Sequence, residues 1–162
     1  MQRLQERRPT MHPATKYRLG FSRTGFVAIL LPMIPNVLWV LLPPVSSTLP
    51  ANDSASPFVE VAGTVSQSLM MAFLVVVINT RWQSTPRKKV LAAVAVACLI
   101  GYLVLWGVYF TAPITPLLLV TMAVLPSVYF ICVALYLENH PALIPAALFA
   151  LVHVATTAAS YL

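Results

Sequence analysis

All ten Lys and Arg residues fall in two short stretches, and this distribution constrains the fold more than any other feature. Six lie within the first 23 residues, and four lie between residues 81 and 89. The rest of the chain contains long apolar segments without Lys or Arg. A hydrocarbon core about 30 Å thick is crossed by about 20 apolar residues in a helix. The pattern therefore predicts an integral membrane protein.

Composition supports this prediction and argues against other classes of protein. Hydrophobic side chains make up 59% of the residues and charged ones only 9%, whereas soluble domains average about 25% charged residues. The net charge of +6 would suit nucleic acid, but the basic residues flank apolar segments and do not alternate with aromatic ones. We therefore expect a lipid bilayer, and no nucleic acid, as the surroundings of the chain.

Five apolar segments are long enough to span a bilayer: residues 25–43, 59–80, 90–111, 113–137 and 141–161. Each is expected to be helical, because a backbone surrounded by lipid must satisfy its own hydrogen bonds. The sequence predicts an all-α integral membrane protein, a compact bundle of five transmembrane helices formed by residues 25–162. Residues 1–24 form a basic N-terminal segment, and the Pro- and Ser-rich residues 44–57 form an exposed loop.

The basic residues also predict the orientation. Cytoplasmic loops of membrane proteins are enriched in Lys and Arg. If the N-terminus is cytoplasmic, all ten basic residues lie inside and none outside. We therefore expect a cytoplasmic N-terminus and an external C-terminus, in what is expected to be a bacterial cytoplasmic membrane. The second basic stretch is expected to contact anionic lipid headgroups through Arg81, Arg87, Lys88 and Lys89.

Polar side chains inside the spans predict a ligand pocket, because such groups are costly in lipid. Glu60, Thr64 and Gln67 share one helical face, and His153 lies in a polar stripe of the fifth span. The predicted pocket opens outward among the first, second, third and fifth helices. Its candidate residues are Asn36, Glu60, Thr64, Gln67, Tyr102, Trp106, Tyr109 and His153.

Each of these side chains also has a structural explanation. Glu60 is close enough to the end of its span to reach water, and His153 could serve in helix packing. Trp106 and Tyr109 could belong to an interfacial aromatic belt. Small polar residues such as those at positions 156, 157 and 160 commonly mediate helix packing in membranes.

Two prolines in the first span predict a local irregularity. Pro32 and Pro35 each lack a backbone donor and leave a carbonyl without its helical partner. We expect the helix to bend or unwind near Asn36, and neighbouring groups to bond the released carbonyls.

Motifs for hydrolase, zinc-protease and P-loop chemistry are absent from the sequence, and we predict no metal or cofactor. The leading hypothesis is a protein that binds or transports a small amphipathic or cationic ligand, as a homodimer or with a partner membrane subunit. The alternative is a non-enzymatic accessory, immunity or assembly subunit of a larger membrane complex. An enzyme using Glu60 and His153 as an acid–base pair is a third, less favoured hypothesis.

In helix number and length, the chain resembles the translocator/tryptophan-rich sensory protein family. The resemblance is confined to architecture, since the loop at residues 44–57 contains no Trp. Membership of that family is therefore not predicted.

Overall fold

A computed structural model describes residues 15–41 and 56–162 of the chain. It contains five helices, α1 Arg23–Leu41, α2 Pro57–Val76, α3 Pro86–Thr111, α4 Pro116–Tyr136 and α5 His140–Tyr161. It also contains two short strands, β1 Tyr17–Leu19 and β2 Val77–Asn79. All five helices are long and apolar enough to cross a membrane, which confirms this part of the predicted fold. Most of the loop predicted at residues 44–57 lies outside the described residues.

The starts of α3, α4 and α5 share one signal, a capping side chain followed closely by proline. Their side-chain caps bond backbone amides in the first turn: Thr85 to Lys88, Thr115 to Leu118 and Asn139 to Ala142. Such caps satisfy helix amides that would otherwise lack a partner. For this reason α3 begins at residue 86 instead of the predicted 90, and α4 begins at 116 instead of 113.

Helix α4 occupies the centre of the bundle. It packs between α3 and α5, while α2 packs against α5 and α1 lies against α2 and α3. The core around it includes Met70, Leu74, Phe130, Ala134 and Ala146, all buried. Large apolar side chains also cover the outer surface, among them Val61, Val104, Ile144, Leu148 and Leu151. An exposed apolar surface this extensive is typical of a protein that contacts a membrane or another protein.

The second predicted span is too long at its C-terminal end. Helix α2 ends at Val76, and residues 77–79 form β2, which pairs antiparallel with β1 so that Tyr17 faces Asn79. The β-branched side chains at positions 75 to 78 favour an extended backbone, and the N-terminal segment supplies a partner strand. This two-stranded ribbon was not predicted from the sequence.

The two prolines do not unwind α1, which is α-helical from Arg23 to Leu41. Of the two predicted irregularities, unwinding is therefore wrong, and a bend near Asn36 stays a prediction. The prediction that neighbours satisfy the released carbonyls is confirmed at Ala28, whose oxygen accepts a 2.8 Å hydrogen bond from the Tyr129 hydroxyl. The Asn36 amide donates to the Pro32 carbonyl at 2.9 Å.

The first turn of α1 lies against the last turns of α2. The amides of Gly20 and Ser22 donate to the carbonyls of Val76 and Val75. A Cβ atom at Gly25 would lie 1.9 Å from the Leu74 carbonyl oxygen. Glycine therefore permits a helix contact that any larger residue would block.

Candidate functional site

Four of the predicted pocket residues line one groove between α2 and α5. The groove has a volume of about 380 Å³, which falls in the range of small-molecule sites, about 300–1,000 Å³. Its lining residues are Val59, Glu60, Gly63, Thr64, Gln67, Phe149, Val152, His153 and Thr156. We call this feature the α2–α5 groove.

The groove forms because similarly spaced residues on two helices face each other. Glu60, Thr64 and Gln67 follow one another at intervals of four and three residues on α2, which places them on one helical face. Phe149 and His153 are spaced by four on α5 and stack at 5.0 Å. Gly63 lets the two helices approach, since a Cβ there would be 3.3 Å from Val152.

The lining combines apolar walls with a single charge. Glu60 is the only Asp, Glu, Lys or Arg among the lining residues. The amide of Gln67 and the imidazole of His153 add polar groups at greater depth along the helices. The Thr156 hydroxyl bonds within its own helix, to the Val152 carbonyl at 2.8 Å. One carboxylate beside aromatic and aliphatic surface is suited to a small amphipathic cation.

The other four predicted residues lie outside this groove. The Asn36 amide donates to the Tyr102 hydroxyl at 3.3 Å, which joins α1 to α3. Trp106 stands edge-on to Tyr102 and Tyr109, at 6.2 and 5.1 Å. The structure thus separates the predicted pocket residues into a groove and an aromatic cluster.

Trp106 has an unusual environment within this aromatic cluster. The residue is 9% exposed, and its indole nitrogen is the only buried side-chain nitrogen or oxygen in residues 15–41 and 56–162 without a hydrogen-bond partner. A buried unpaired donor of this kind costs about 1–3 kcal/mol.

Sequence reasoning missed a polar cluster at the ribbon end of the bundle, formed by Asn79, Lys88, Glu138 and Asn139. Lys88 is only 4% exposed, and its ammonium lies 3.1 Å from the Glu138 carboxylate. The other carboxylate oxygen accepts from the Asn79 amide at 3.0 Å. The Lys88 ammonium also donates to the Gln83 carbonyl and lies 4.7 Å from the centre of the Trp82 ring. We call this group the ribbon-end cluster.

Glu138 holds an uncommon backbone conformation in this cluster, with φ of 49°. The amides of Glu138 and Asn139 bond the carbonyls of Leu135 and Ala134, a Schellman ending that usually places glycine at this position. Hydrogen bonding from the Lys88 ammonium holds the pKa of the Glu138 carboxyl below its ordinary value of 4.5. The ionised side chain therefore has fixed partners that a glycine could not provide.

Asn139 joins two helices through both ends of its side chain and is 1% exposed. Its oxygen accepts from the Ala142 amide at 3.1 Å and so caps α5. Its nitrogen donates to the carbonyls of Phe73 and Val77, at 2.8 and 3.1 Å, where α2 changes into β2. The Phe73 carbonyl also accepts from the Val77 amide, so Asn139 gives it a second hydrogen bond and ties the end of α2 to the start of α5.

The basic residues predicted to contact lipid headgroups differ in exposure. Arg81, Arg87 and Lys89 are exposed, whereas Lys88 is buried in the ribbon-end cluster. The sequence contains one indication of the Lys88–Glu138 ion pair. Glu138 is one of only four acidic residues and directly follows the fourth span, where an ionic partner would be expected. Its partner could not be identified, since 50 positions separate it from Lys88.

The described residues contain no group of three or more His, Cys, Asp and Glu side chains that could hold a metal ion. Comparisons with protein-family models, curated proteins and solved structures find no match to this chain. The function is therefore inferred from the residues of the α2–α5 groove and of the ribbon end.

Proposed function

We propose that the chain is an integral membrane protein that binds a small amphipathic cation in the α2–α5 groove. The observation that carries the proposal is the convergence of Glu60, Thr64, Gln67 and His153 on one groove whose only charge is negative. Binding of this kind serves either transport or sensing of the ligand.

The distribution of charge supports a cytoplasmic ribbon end. Pairing of β1 with β2 brings Lys16 and Arg18, the two basic residues next to or within β1, beside the start of the second basic stretch, so these described basic residues lie at the same end of the bundle. The α4–α5 turn also lies there, because Glu138 bonds Lys88 and Asn79. In the proposed orientation this end faces the cytoplasm.

The same orientation places the mouth of the groove on the outer side. Helix α2 ends at the ribbon, and Glu60 lies in its first turn, at the opposite end. A carboxylate near the outer boundary could attract a cation from water, while Phe149 and His153 lie deeper, where an apolar ligand body would rest. This arrangement supports a pocket that opens outward.

Equilibrium binding of tetraphenylphosphonium to the purified protein in nanodiscs tests the proposal. We expect saturable binding that weakens about two- to fivefold in Glu60→Gln, since an ion pair at an exposed carboxylate is worth up to about 1 kcal/mol and 1.4 kcal/mol corresponds to tenfold. Gln67→Ala and His153→Ala are expected to weaken binding while the folded protein remains recoverable. Ser68→Ala, an exposed α2 residue outside the groove lining, serves as the matched control.

Tetraphenylborate provides a control ligand of the same shape and opposite charge. We expect it to bind more weakly than tetraphenylphosphonium, and to bind more tightly in Glu60→Gln than in the wild type, because that variant removes the repulsion between the carboxylate and the anion. Equal binding of both ions, or unchanged cation binding in Glu60→Gln, would contradict the proposal. If Gln67→Ala and His153→Ala lower only thermal stability, the groove would serve helix packing, in agreement with an accessory-subunit role.

A further inference from the structure

A second cavity lies where the ribbon, the start of α3 and the α4–α5 turn meet. It has a volume of about 230 Å³, and its lining includes Lys16, Arg87, Lys88, Glu138 and His140. It shares no lining residue with the α2–α5 groove. Its volume is below that of drug-sized ligand sites, about 300 Å³ and above, and suits one compact charged group. We call it the ribbon cavity.

The ribbon cavity has an excess of positive charge. Its lining includes three cationic side chains and one carboxylate. Lys88 and Glu138 neutralise each other in their 3.1 Å ion pair. Lys16 and Arg87 therefore leave the cavity with two positive charges that the described lining does not neutralise, and an anion is the complementary ligand.

The backbone around the cavity adds to its preference for an anion. Arg87 lies in the first turn of α3 and His140 begins α5, so the ends of two helices at which the helix dipole is positive lie beside the cavity. A guanidinium can donate two parallel hydrogen bonds to phosphate, and an ammonium and an imidazole supply further donors. Donors from three separate chain segments surround the same space.

We propose that the ribbon cavity binds a phosphate group, supplied either by an anionic lipid headgroup or by a soluble phosphate ester. The proposal is independent of the cation proposed for the α2–α5 groove. Lys16 and Arg87 would contact the phosphate oxygens, and His140 would donate a further hydrogen bond. The Lys88–Glu138 pair would form the floor of the site without losing its own partner.

The chain offers a closely matched control for this proposal. Arg18 and Lys89 are exposed, lie within two residues of Lys16 and Arg87, and do not line the cavity. The double variants Lys16→Gln/Arg87→Gln and Arg18→Gln/Lys89→Gln therefore remove the same charge from the same two segments. Only the first pair removes charge from the cavity.

The test measures thermal unfolding midpoints and native mass spectra of the full chain and both double variants. Probes are inorganic phosphate, glycerol 1-phosphate, phosphatidylglycerol and, as the lipid without net charge, phosphatidylcholine. We expect apparent affinity for an anionic probe to fall about ten- to thirtyfold in Lys16→Gln/Arg87→Gln. In Arg18→Gln/Lys89→Gln it should stay within about threefold of the wild type.

The outcomes distinguish the two sources of phosphate. A selective loss seen only with phosphatidylglycerol would support a lipid headgroup, and one seen also with glycerol 1-phosphate would support a soluble ester. Equal losses in both double variants, or binding to no anionic probe, would overturn the proposal. If Lys16→Gln/Arg87→Gln cannot be recovered folded, the single variants Arg87→Gln and Lys89→Gln replace the double variants. A loss of affinity in Arg87→Gln alone would support the proposal, and equal losses in both would overturn it.

Discussion

At the scale of single residues, the most consequential feature is the buried ammonium of Lys88. A buried charge is stabilised only by fixed partners, and here the partners are the Glu138 carboxylate, the Gln83 carbonyl and the Trp82 ring. The surface role predicted for the basic stretch assumed that all four side chains reach the lipid headgroups. Helix phase turns Lys88 inward, while its neighbours Arg87 and Lys89 remain exposed.

Glu138→Gln is expected to lower the free energy of unfolding at neutral pH by about 1–2 kcal/mol, because it leaves Lys88 buried without a counterion. The expected loss of stability is small because the Glu138 side chain is 39% exposed, and solvent screens the pair. Thermal unfolding in detergent measures the change. Glu60→Gln, which neutralises an exposed carboxylate at the opposite end, is the control and should be nearly neutral.

The lowered pKa of Glu138 sets the sign of the pH dependence. A carboxyl whose pKa is lower in the folded state stabilises the fold above its unfolded pKa. That contribution is lost as pH falls from about 4.5 through the lowered folded value. We expect the wild-type unfolding midpoint to fall over this range and Glu138→Gln to lack this part of the loss. Identical profiles would show that the ion pair does not stabilise the fold.

At the scale of elements, hydropathy predicted the five helices and missed the ribbon. Long apolar segments identify helices in a local window of sequence. The capping residues Thr85 and Thr115 set the observed starts of α3 and α4, which differ from the predicted starts by a few residues. A strand of three residues is too short to show a recognisable hydrophobic pattern. The residues of β1 also pair with residues about 60 positions away in the sequence. The end of α2 at Val76 depends on that distant pairing, which hydropathy does not report.

The contact between α1 and α2 leads to a prediction with an internal control. Gly25→Ala is expected to destabilise the fold by about 1–3 kcal/mol, since the new Cβ would lie 1.9 Å from a backbone oxygen that cannot move independently. Gly107→Ala places the same methyl group where nothing lies within 4 Å. It should be neutral or stabilising by up to about 1 kcal/mol, because alanine favours helix. Equal unfolding midpoints for the two variants would contradict the close contact.

At the scale of the whole molecule, polar groups concentrate at two places along the bundle. The ribbon-end cluster and the ribbon cavity lie where β1 pairs with β2 beside the second basic stretch, and the α2–α5 groove reaches toward the opposite end. The spacing of polar residues predicted one pocket among four helices, and four of its eight candidate residues line the α2–α5 groove. The spacing did not predict that Asn36 and the aromatic residues of α3 lie elsewhere. Helical periodicity shows which residues share one face of a helix, but not which other helix packs against that face.

The proposed topology has five spans with the ribbon end in the cytoplasm. Reporter fusions at the two termini should therefore report opposite compartments, with the N-terminal fusion cytoplasmic. Moving basic residues to the outer loop should weaken this preference, because the distribution of Lys and Arg sets the orientation. Both termini on the same side would contradict a five-span arrangement.

The position of a bound amphipathic cation shows whether the α2–α5 groove is the ligand site. Tetraphenylarsonium contains an atom that scatters anomalously, so crystals of the complex would locate the ligand independently of its shape. We expect one arsenic peak between α2 and α5, close to the Glu60 carboxylate and the stacked rings of Phe149 and His153. A peak elsewhere in the bundle, with the α2–α5 groove empty at saturating ligand, would contradict the proposed site.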